Sequence, residues 1–332
     1  MNTREAKRFL EAFADESAGG LVEEMLLRHY ADAVIEHHPG PVDRELVYES
    51  TRKLGDEILV WMDRIRERPG VVDAVLQKLS RTIPFPHPMW FEAFNLAYEH
   101  YKHERKLPLK TKRIEAWFTG DSFCDVGCGG GDLIYYISRN YPGFREFAGI
   151  DVLDWRTDAI RNSINFQMLD FSRAGAKSNV QYDTLSCIAV LHHVGQKVED
   201  ISTFLRNLRT ALRPGGRLII EEDVMLPSEE LARNPQLMEQ AERISGEQPL
   251  FGKFLNLDTE AQKNVLILVD ILANALTGGI TDMAFPFGFR SIEQWSKLFR
   301  ENGYCIEDTL ISGFQPGLFN RSSHVYFILS AN

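Results

Sequence analysis

The sequence has few cysteines, a deficit of basic residues and no long apolar run, and each shortage excludes a class of protein. Four cysteines among 332 residues are too few and too irregularly spaced for a disulfide framework or a paired zinc site. The 37 Lys and Arg are outnumbered by 47 Asp and Glu, which leaves a net charge of −10. Because nucleic acids are bound mainly through phosphate neutralisation, this balance disfavours an RNA or DNA partner.

Membrane and metal partners are disfavoured on similar grounds. No apolar stretch approaches the ~20 residues that span a bilayer, and no signal-peptide core follows Met1–Arg8. We therefore expect a cytoplasmic protein with no membrane partner. The nine histidines show no spacing that requires a metal, so we expect no metal ion. The length suits one large domain or two ordinary ones.

The most informative stretch is the glycine-rich segment 123–133, which predicts a buried strand, a tight turn and the start of a helix. Such a unit commonly holds a nucleotide. The dinucleotide pattern requires a third glycine where Asp132 stands. Asp125, two residues before Gly127, would repel a pyrophosphate and attract a cation. The segment therefore favours a ligand that carries positive charge.

Two further acids follow predicted strands in the order that a nucleotide-binding sheet requires. Phe147–Asp151 reads as a second strand, whose acid lies about 20 residues past the loop, where a ribose-binding carboxylate is expected. Phe166–Asp170 reads as a third strand that also ends in an acid. Tyr182–His193 reads as an apolar fourth strand, and Leu212–Glu221 as a helix stop and the fifth strand.

Together these elements resemble the class I S-adenosylmethionine-dependent methyltransferases. The resemblance implies an α/β fold: a Rossmann-like seven-stranded methyltransferase sheet with helices on both faces, an all-α N-terminal domain and a helical insertion after strand five. It implies S-adenosylmethionine as cofactor and S-adenosylhomocysteine as product. The implied cofactor-binding residues are Asp125, Gly127, Cys128, Gly129, Gly131, Asp151, Val152, Asp170, Phe171, Ala189 and Val190.

The chain outside the glycine unit predicts two domains and a lid. Residues 1–115 read as a helical N-terminal domain and residues 116–332 as the cofactor domain, with helices 231–244 and 259–276 in a lid insertion at about 224–289. Lys106–Lys112 is expected to be a solvated basic turn. The proline-rich segment Ile83–Phe91 joins helices or walls the substrate pocket. The candidate substrate-binding residues are Phe85, Trp90, Phe91 and Phe287.

His192 and His193 are the candidate catalytic residues, because they follow the fourth strand at the edge where ligands bind in open α/β sheets. A histidine can remove a proton near neutral pH. Equally, either ring can simply shape the pocket. Glu221, Glu222 and Asp223 end the fifth strand, where one of them could orient a base, bind an amine, cap a helix or face solvent.

The whole layout more weakly resembles natural-product O-methyltransferases with a dimerising helical N-terminal domain. That resemblance implies a small-molecule acceptor from secondary metabolism, and a homodimer through the N-terminal helices. We therefore predict methyl transfer to a small molecule, with oxygen slightly favoured as acceptor. The alternatives are N- or C-methylation, peptide or protein methylation, and a non-catalytic cofactor-binding module.

Overall fold

The computed structural model of the protein describes residues 8, 11–12, 15–49, 51, 96–273, 285–314 and 323–331. The chain divides into two compact units. The helical unit comprises Met1–Lys106, Met225–Phe285 and Gly313–Ser323, and the sheet unit comprises Leu107–Val224, Pro286–Ser312 and His324–Asn332. Among the helices of the described ranges, none is both long enough and apolar enough to cross a bilayer.

The described helices and strands are numbered in chain order. The helices are α1 (Glu16–His37), α2 (Leu107–Ile114), α3 (Asp132–Asn140), α4 (Asp158–Arg161), α5 (Leu191–Val194), α6 (Val198–Leu208), α7 (Ser228–Arg233), α8 (Pro235–Glu247), α9 (Pro249–Leu255), α10 (Thr259–Ala273) and α11 (Ile292–Glu301). The strands are β1 (Ser122–Val126), β2 (Glu146–Asp151), β3 (Asn165–Met168), β4 (Tyr182–Ile188), β5 (Leu212–Met225), β6 (Arg290–Ser291), β7 (Tyr304–Gly313) and β8 (His324–Ala331).

In the helical unit, α1 is fixed to α10 through its N-terminus. The Asp15 carboxylate accepts hydrogen bonds from the first backbone N–H groups of α1. Its second oxygen accepts one from Asn264 Nδ2 on α10, at 2.9 Å. The helix predicted at 231–244 is two helices, because Asn234 ends α7 and caps α8, whose first residue is Pro235.

The sheet unit confirms the predicted fold class. Its strand order is β3-β2-β1-β4-β5-β8-β7, and the two-residue β6 adds an eighth strand beside β5. The pairs β3–β2, β2–β1, β1–β4 and β4–β5 are parallel, and β8 is antiparallel to β5. The carboxyl ends of the parallel strands therefore lie along one edge, where ligands bind in such sheets.

Helix α2 replaces the basic turn predicted at Lys106–Lys112. Leu107, Lys110, Thr111 and Ile114 are all buried, and their i, i+3, i+4, i+7 spacing is that of one helix face. Ile114 packs with Ile219, Tyr326 and Ile328 of the sheet. The prediction failed because two of the four positions on the buried face, Lys110 and Thr111, are polar and hid this periodicity. Lys110 is therefore a buried residue rather than a solvated one.

Candidate functional site

The glycine turn between β1 and α3 is held against the end of β2. Gly127 N–H donates to the Ile150 carbonyl at 2.7 Å. Gly127 and Gly129 have φ of +72° and +51°, a region that L side chains rarely adopt. A Cβ on Gly127 would lie 2.3 Å from Val190 Cγ2, whereas one on Gly129 would have no described atom within 4 Å. The turn is thus tightly packed against Val190 at Gly127 and has open space beside Gly129.

Asp125 lies at the end of β1, directly beneath this turn, and is 4% exposed. Its Oδ1 accepts a hydrogen bond from Ser186 Oγ on β4 at 2.6 Å. Burial raises the pKa of Asp125 to about 7, against the lowering effects of the Ser186 hydrogen bond and the Lys110 ammonium. A cation bound beside this carboxyl would favour its ionised form.

Asp151, at the end of β2, connects the second strand to the glycine turn. Its Oδ2 accepts the Gly129 N–H at 2.8 Å, and its Oδ1 accepts the Val152 N–H at 2.7 Å. An ionised carboxylate has about four acceptor positions, so capacity remains for ligand hydroxyls. Val152 itself is 54% exposed beside it. Asp151 therefore fixes the loop and remains able to bind a ligand.

Asp170 and Phe171 follow β3 and differ in surroundings. Burial alone would raise the pKa of Asp170, but hydrogen bonds from Ser172 and Arg173 outweigh it and the net shift is downward. The Phe171 ring is buried and packs edge-on against Phe204 of α6 at 5.9 Å. Asp170 is thus available to a ligand as a carboxylate, while Phe171 contributes its ring to the interior.

The turn after β4 is organised by one buried carboxylate, that of Glu222 on β5. Glu222 Oε1 accepts the N–H groups of Val190 and Leu191 at 3.0 and 2.6 Å. The preceding residue, Ala189, has a φ of +55°, which costs about 1 kcal/mol or more for a residue other than glycine. Glu222 therefore stabilises a strained turn at the predicted cofactor edge.

His192 is bound by the same carboxylate. Its Nδ1 lies 2.7 Å from Glu222 Oε2, and both side chains are almost fully buried. Because a carboxylate accepts, Nδ1 carries the proton, and a neutral imidazole then has its lone pair on Nε2. The half-buried His193 ring lies 4.0 Å from that of His192. His192 thus has a buried carboxylate partner at Nδ1.

The other two acids of this strand lie on the opposite face of the sheet, because side chains alternate along a strand. Glu221 pairs with Lys110 of α2 at 2.9 Å, and Asp223 pairs with His324 Nδ1 of β8 at 2.9 Å. Burial alone would raise the pKa of Glu221, but Lys110 and His324 outweigh it and lower it. These acids therefore form a buried ionic network between α2, β5 and β8.

The predicted substrate-binding residues are only partly placed. Phe85, Trp90 and Phe91 lie outside the described residues. Phe287 belongs to the sheet unit, is 2% exposed and has a φ of +55°. Its role in substrate binding stays a prediction.

Three further residues near the site were not singled out from the sequence. Lys110 was assigned to a turn, although its spacing from Ile114 was a usable signal. Ser186 carried no signal, since a serine within a strand usually has no ligand role. Phe289, which stacks on His192, lies two residues after the candidate Phe287, and that aromatic neighbour was its only sequence signal.

Part of this chain is similar in sequence to known methyltransferases. The model of a family described as "Methyltransferase domain" matches residues 98–251. A ubiquinone biosynthesis O-methyltransferase of Rickettsia bellii is 33% identical over 151 residues, which are 43% of this chain and 60% of that protein. A tRNA U34 carboxymethyltransferase of Nautilia profundicola is 24% identical over 198 residues, 55% of this chain and 59% of that one. The chain thus spans about three fifths of the length of these two relatives.

Among solved structures, the pyocyanin biosynthetic protein PhzM superimposes with a TM-score of 0.48 and 14% identity. The superposition covers 77% of this chain and 61% of PhzM.

Proposed function

We propose that this chain, whose residues 98–251 carry a methyltransferase domain, transfers the methyl group of S-adenosylmethionine to the oxygen of a small molecule. The observation that supports this most is the buried His192–Glu222 pair. It lies at the turn after β4, whose Val190 side chain packs beneath Gly127 of the glycine turn. A base and a cofactor cradle therefore share one edge of the sheet.

The residues at this edge fit S-adenosylmethionine, which carries a sulfonium, an ammonium and a ribose diol. The open space at Gly129 would admit the methionine portion, since even a Cβ there meets no described atom within 4 Å. Asp125 would bind the ammonium side of the ligand, and Asp151 the ribose hydroxyls. Asp170 and the backbone at Ala189 and Val190 would lie along the adenine. When bound, the cofactor supplies an already activated methyl group.

The other requirements of methyl transfer must be met by this chain's own residues. They must align the acceptor, exclude water and remove the hydroxyl proton as the methyl is transferred. His192 is the proposed base at Nε2, because Glu222 holds Nδ1 in the protonated tautomer. Glu222 would also stabilise the imidazolium that forms. His193, tilted against His192, is proposed to shape the pocket wall.

The acceptor is proposed to be a secondary metabolite. Methylation of nitrogen, carbon or a peptide would use the same cofactor edge. A neutral amine needs no base to accept a methyl group, whereas a hydroxyl must lose its proton, and His192 is the proposed base for that proton. The net charge of −10 supports a partner other than RNA. We also propose a cytoplasmic homodimer formed through the N-terminal helices.

The test is a methyl-transfer screen on a library of phenols, alcohols, amines and carboxylic acids, preceded by calorimetry with S-adenosylmethionine and S-adenosylhomocysteine. We expect both ligands to bind, and we expect a hydroxyl compound to be methylated. His192→Ala should lower its single-turnover rate by about 10²- to 10⁴-fold, the range for a general base, at unchanged cofactor affinity. Absence of binding by either ligand would refute the proposal.

A wild-type rate in His192→Ala would instead point to an acceptor that needs no base.

A further inference from the structure

The segment 286–290 binds the turn that carries His192 and is unused by the chemistry described so far. Gly288 N–H donates to the His192 carbonyl at 2.9 Å. A Cβ on Gly288 would lie 2.4 Å from the Gly195 carbonyl oxygen and 2.9 Å from that of His192. Both are backbone atoms, which cannot move aside cheaply. This approach is therefore possible only because residue 288 is glycine.

The segment is also tied to the far end of the same turn. The buried Arg290 guanidinium donates to the Gln196 carbonyl at 2.7 Å and to the Gly288 carbonyl at 2.6 Å. The Gln196 side chain donates back to the Pro286 carbonyl. Arg290 lies over the Trp295 ring at 4.8 Å, which supports it from α11. The segment 286–290 is thus joined by hydrogen bonds to both ends of the turn 192–196.

Phe289 adds a contact to the imidazole itself. Its ring stacks on that of His192 with centroids 4.9 Å apart and planes 20° from parallel. The hydrogen bond from Nδ1 to Glu222 fixes one point of the imidazole, but the ring can still tilt about that bond. A flat neighbour parallel to the ring removes this freedom.

We propose that the segment Pro286–Arg290, which we call the aromatic clamp, is a positioning element for His192. Phe289 sets the plane of the imidazole, while Gly288 and Arg290 hold the backbone that carries it. The clamp rests on the proposed function, in which His192 Nε2 takes the acceptor's proton. A base must lie within hydrogen-bond reach of that proton, so a tilted ring would lose rate without losing cofactor.

The main variant is Phe289→Leu, which keeps an apolar side chain and removes the flat ring. Its matched control is Phe144→Leu, a buried phenylalanine of the same unit whose ring packs with Phe118, Phe123 and Phe147. Phe289→Leu should lower the single-turnover rate by about tenfold to a hundredfold, as small misplacements of a reacting group do. Phe144→Leu should keep the wild-type rate, and the cofactor Kd should be the same in both.

A second measurement is independent of activity. In protein labelled with ¹⁵N-histidine, His192 should show a single Nδ1–H tautomer with slow proton exchange in the wild type and in Phe144→Leu. Phe289→Leu should lose that protection. If it keeps both the wild-type rate and the wild-type imidazole spectrum, the clamp is refuted.

Failure of the proposed function is distinguishable from failure of the clamp. If the wild type transfers no methyl group, the imidazole spectrum alone still decides whether Phe289 positions the ring. If Phe289→Leu does not fold, Gln196→Met loosens the same segment by removing the donor to the Pro286 carbonyl. Faster exchange at His192 in that variant supports the clamp, and unchanged exchange overturns it.

Discussion

The raised pKa of Asp125 predicts that cofactor binding is linked to protonation. In the free protein this carboxyl is buried and its pKa is about 7. A ligand ammonium beside it stabilises the carboxylate and lowers that pKa. Binding should therefore release a proton at pH values below about 7. The affinity for S-adenosylhomocysteine, which has no sulfonium but keeps the ammonium, should show the same dependence.

The size of the effect follows from the fraction of Asp125 that is ionised. With a pKa of about 7, that fraction is about three quarters at pH 7.5, about a tenth at pH 6 and about a hundredth at pH 5. If only the ionised form binds, the affinity falls about eightfold from pH 7.5 to pH 6 and nearly tenfold more to pH 5. The ligand's α-amino group, with an ordinary pKa of about 7.7, is almost fully cationic at pH 6 and below, so the fall in affinity from pH 6 to pH 5 reports Asp125 alone.

Stability of the ligand-free protein should change with pH in the opposite direction. An acid whose pKa is raised by folding loses its proton first in the unfolded state, so the free energy of unfolding falls as pH rises from about 4 to 7. A rise from 3.8 to about 7 corresponds to about 4 kcal/mol. Asp125→Asn should remove this decrease.

Isothermal titration in two buffers of different ionisation enthalpy measures both the affinity and the protons released. Asp125→Asn should bind weakly and with little pH dependence. Ser186→Ala should move the midpoint to higher pH, because the Ser186 hydrogen bond lowers the pKa of Asp125. Asp183→Asn, an acid at the opposite edge of the sheet, is the control and should keep the wild-type profile. A wild-type affinity that is flat from pH 5 to 7.5 would refute the reasoning.

Three further outcomes are expected from the same sheet unit. Gly127→Ala should lower the free energy of unfolding by about 1–3 kcal/mol, because the added methyl group would overpack against the turn after β4. Gly129→Ala should mainly weaken cofactor binding, measured by calorimetry. Equal losses of stability in the two variants would contradict this difference in packing. Asp183→Ala removes an acceptor of four hydrogen bonds, so urea denaturation should show a free energy of unfolding lower by about 1–3 kcal/mol. This loss should shrink as pH falls through the lowered pKa of Asp183, while the cofactor affinity stays unchanged. Lys110→Met leaves the Glu221 carboxylate buried without its lysine partner and should lower the free energy of unfolding by about 3–5 kcal/mol. The double variant Lys110→Met/Glu221→Gln should lose less than Lys110→Met alone. If the losses of the two single variants simply add in the double variant, the pair is not coupled.

Much of the cofactor edge could be predicted from the sequence, because its signals are local. The strand, glycine turn and helix around Gly127 follow from a short buried stretch and from a cluster of glycines, which allow positive φ. Asp151 was recognised because it ends a predicted strand about 20 residues past the loop, where such folds place a ribose-binding carboxylate. The fold class was implied by the resemblance that this order of elements carries, and the structure confirmed it. The roles of these residues in binding stay predictions.

What only the tertiary structure decided is which distant residues meet. Alternation places Glu222 on one face of β5 and Glu221 with Asp223 on the other, but only the pairing of Ile188 with Glu221 brings Glu222 to the turn that carries His192. The 32 residues that separate Val190 from Glu222 have no pattern that encodes this register. The stacking of Phe289 on His192 joins residues almost a hundred positions apart. Such contacts depend on how strands and segments that are distant in the sequence pack together, and no local sequence pattern encodes that packing.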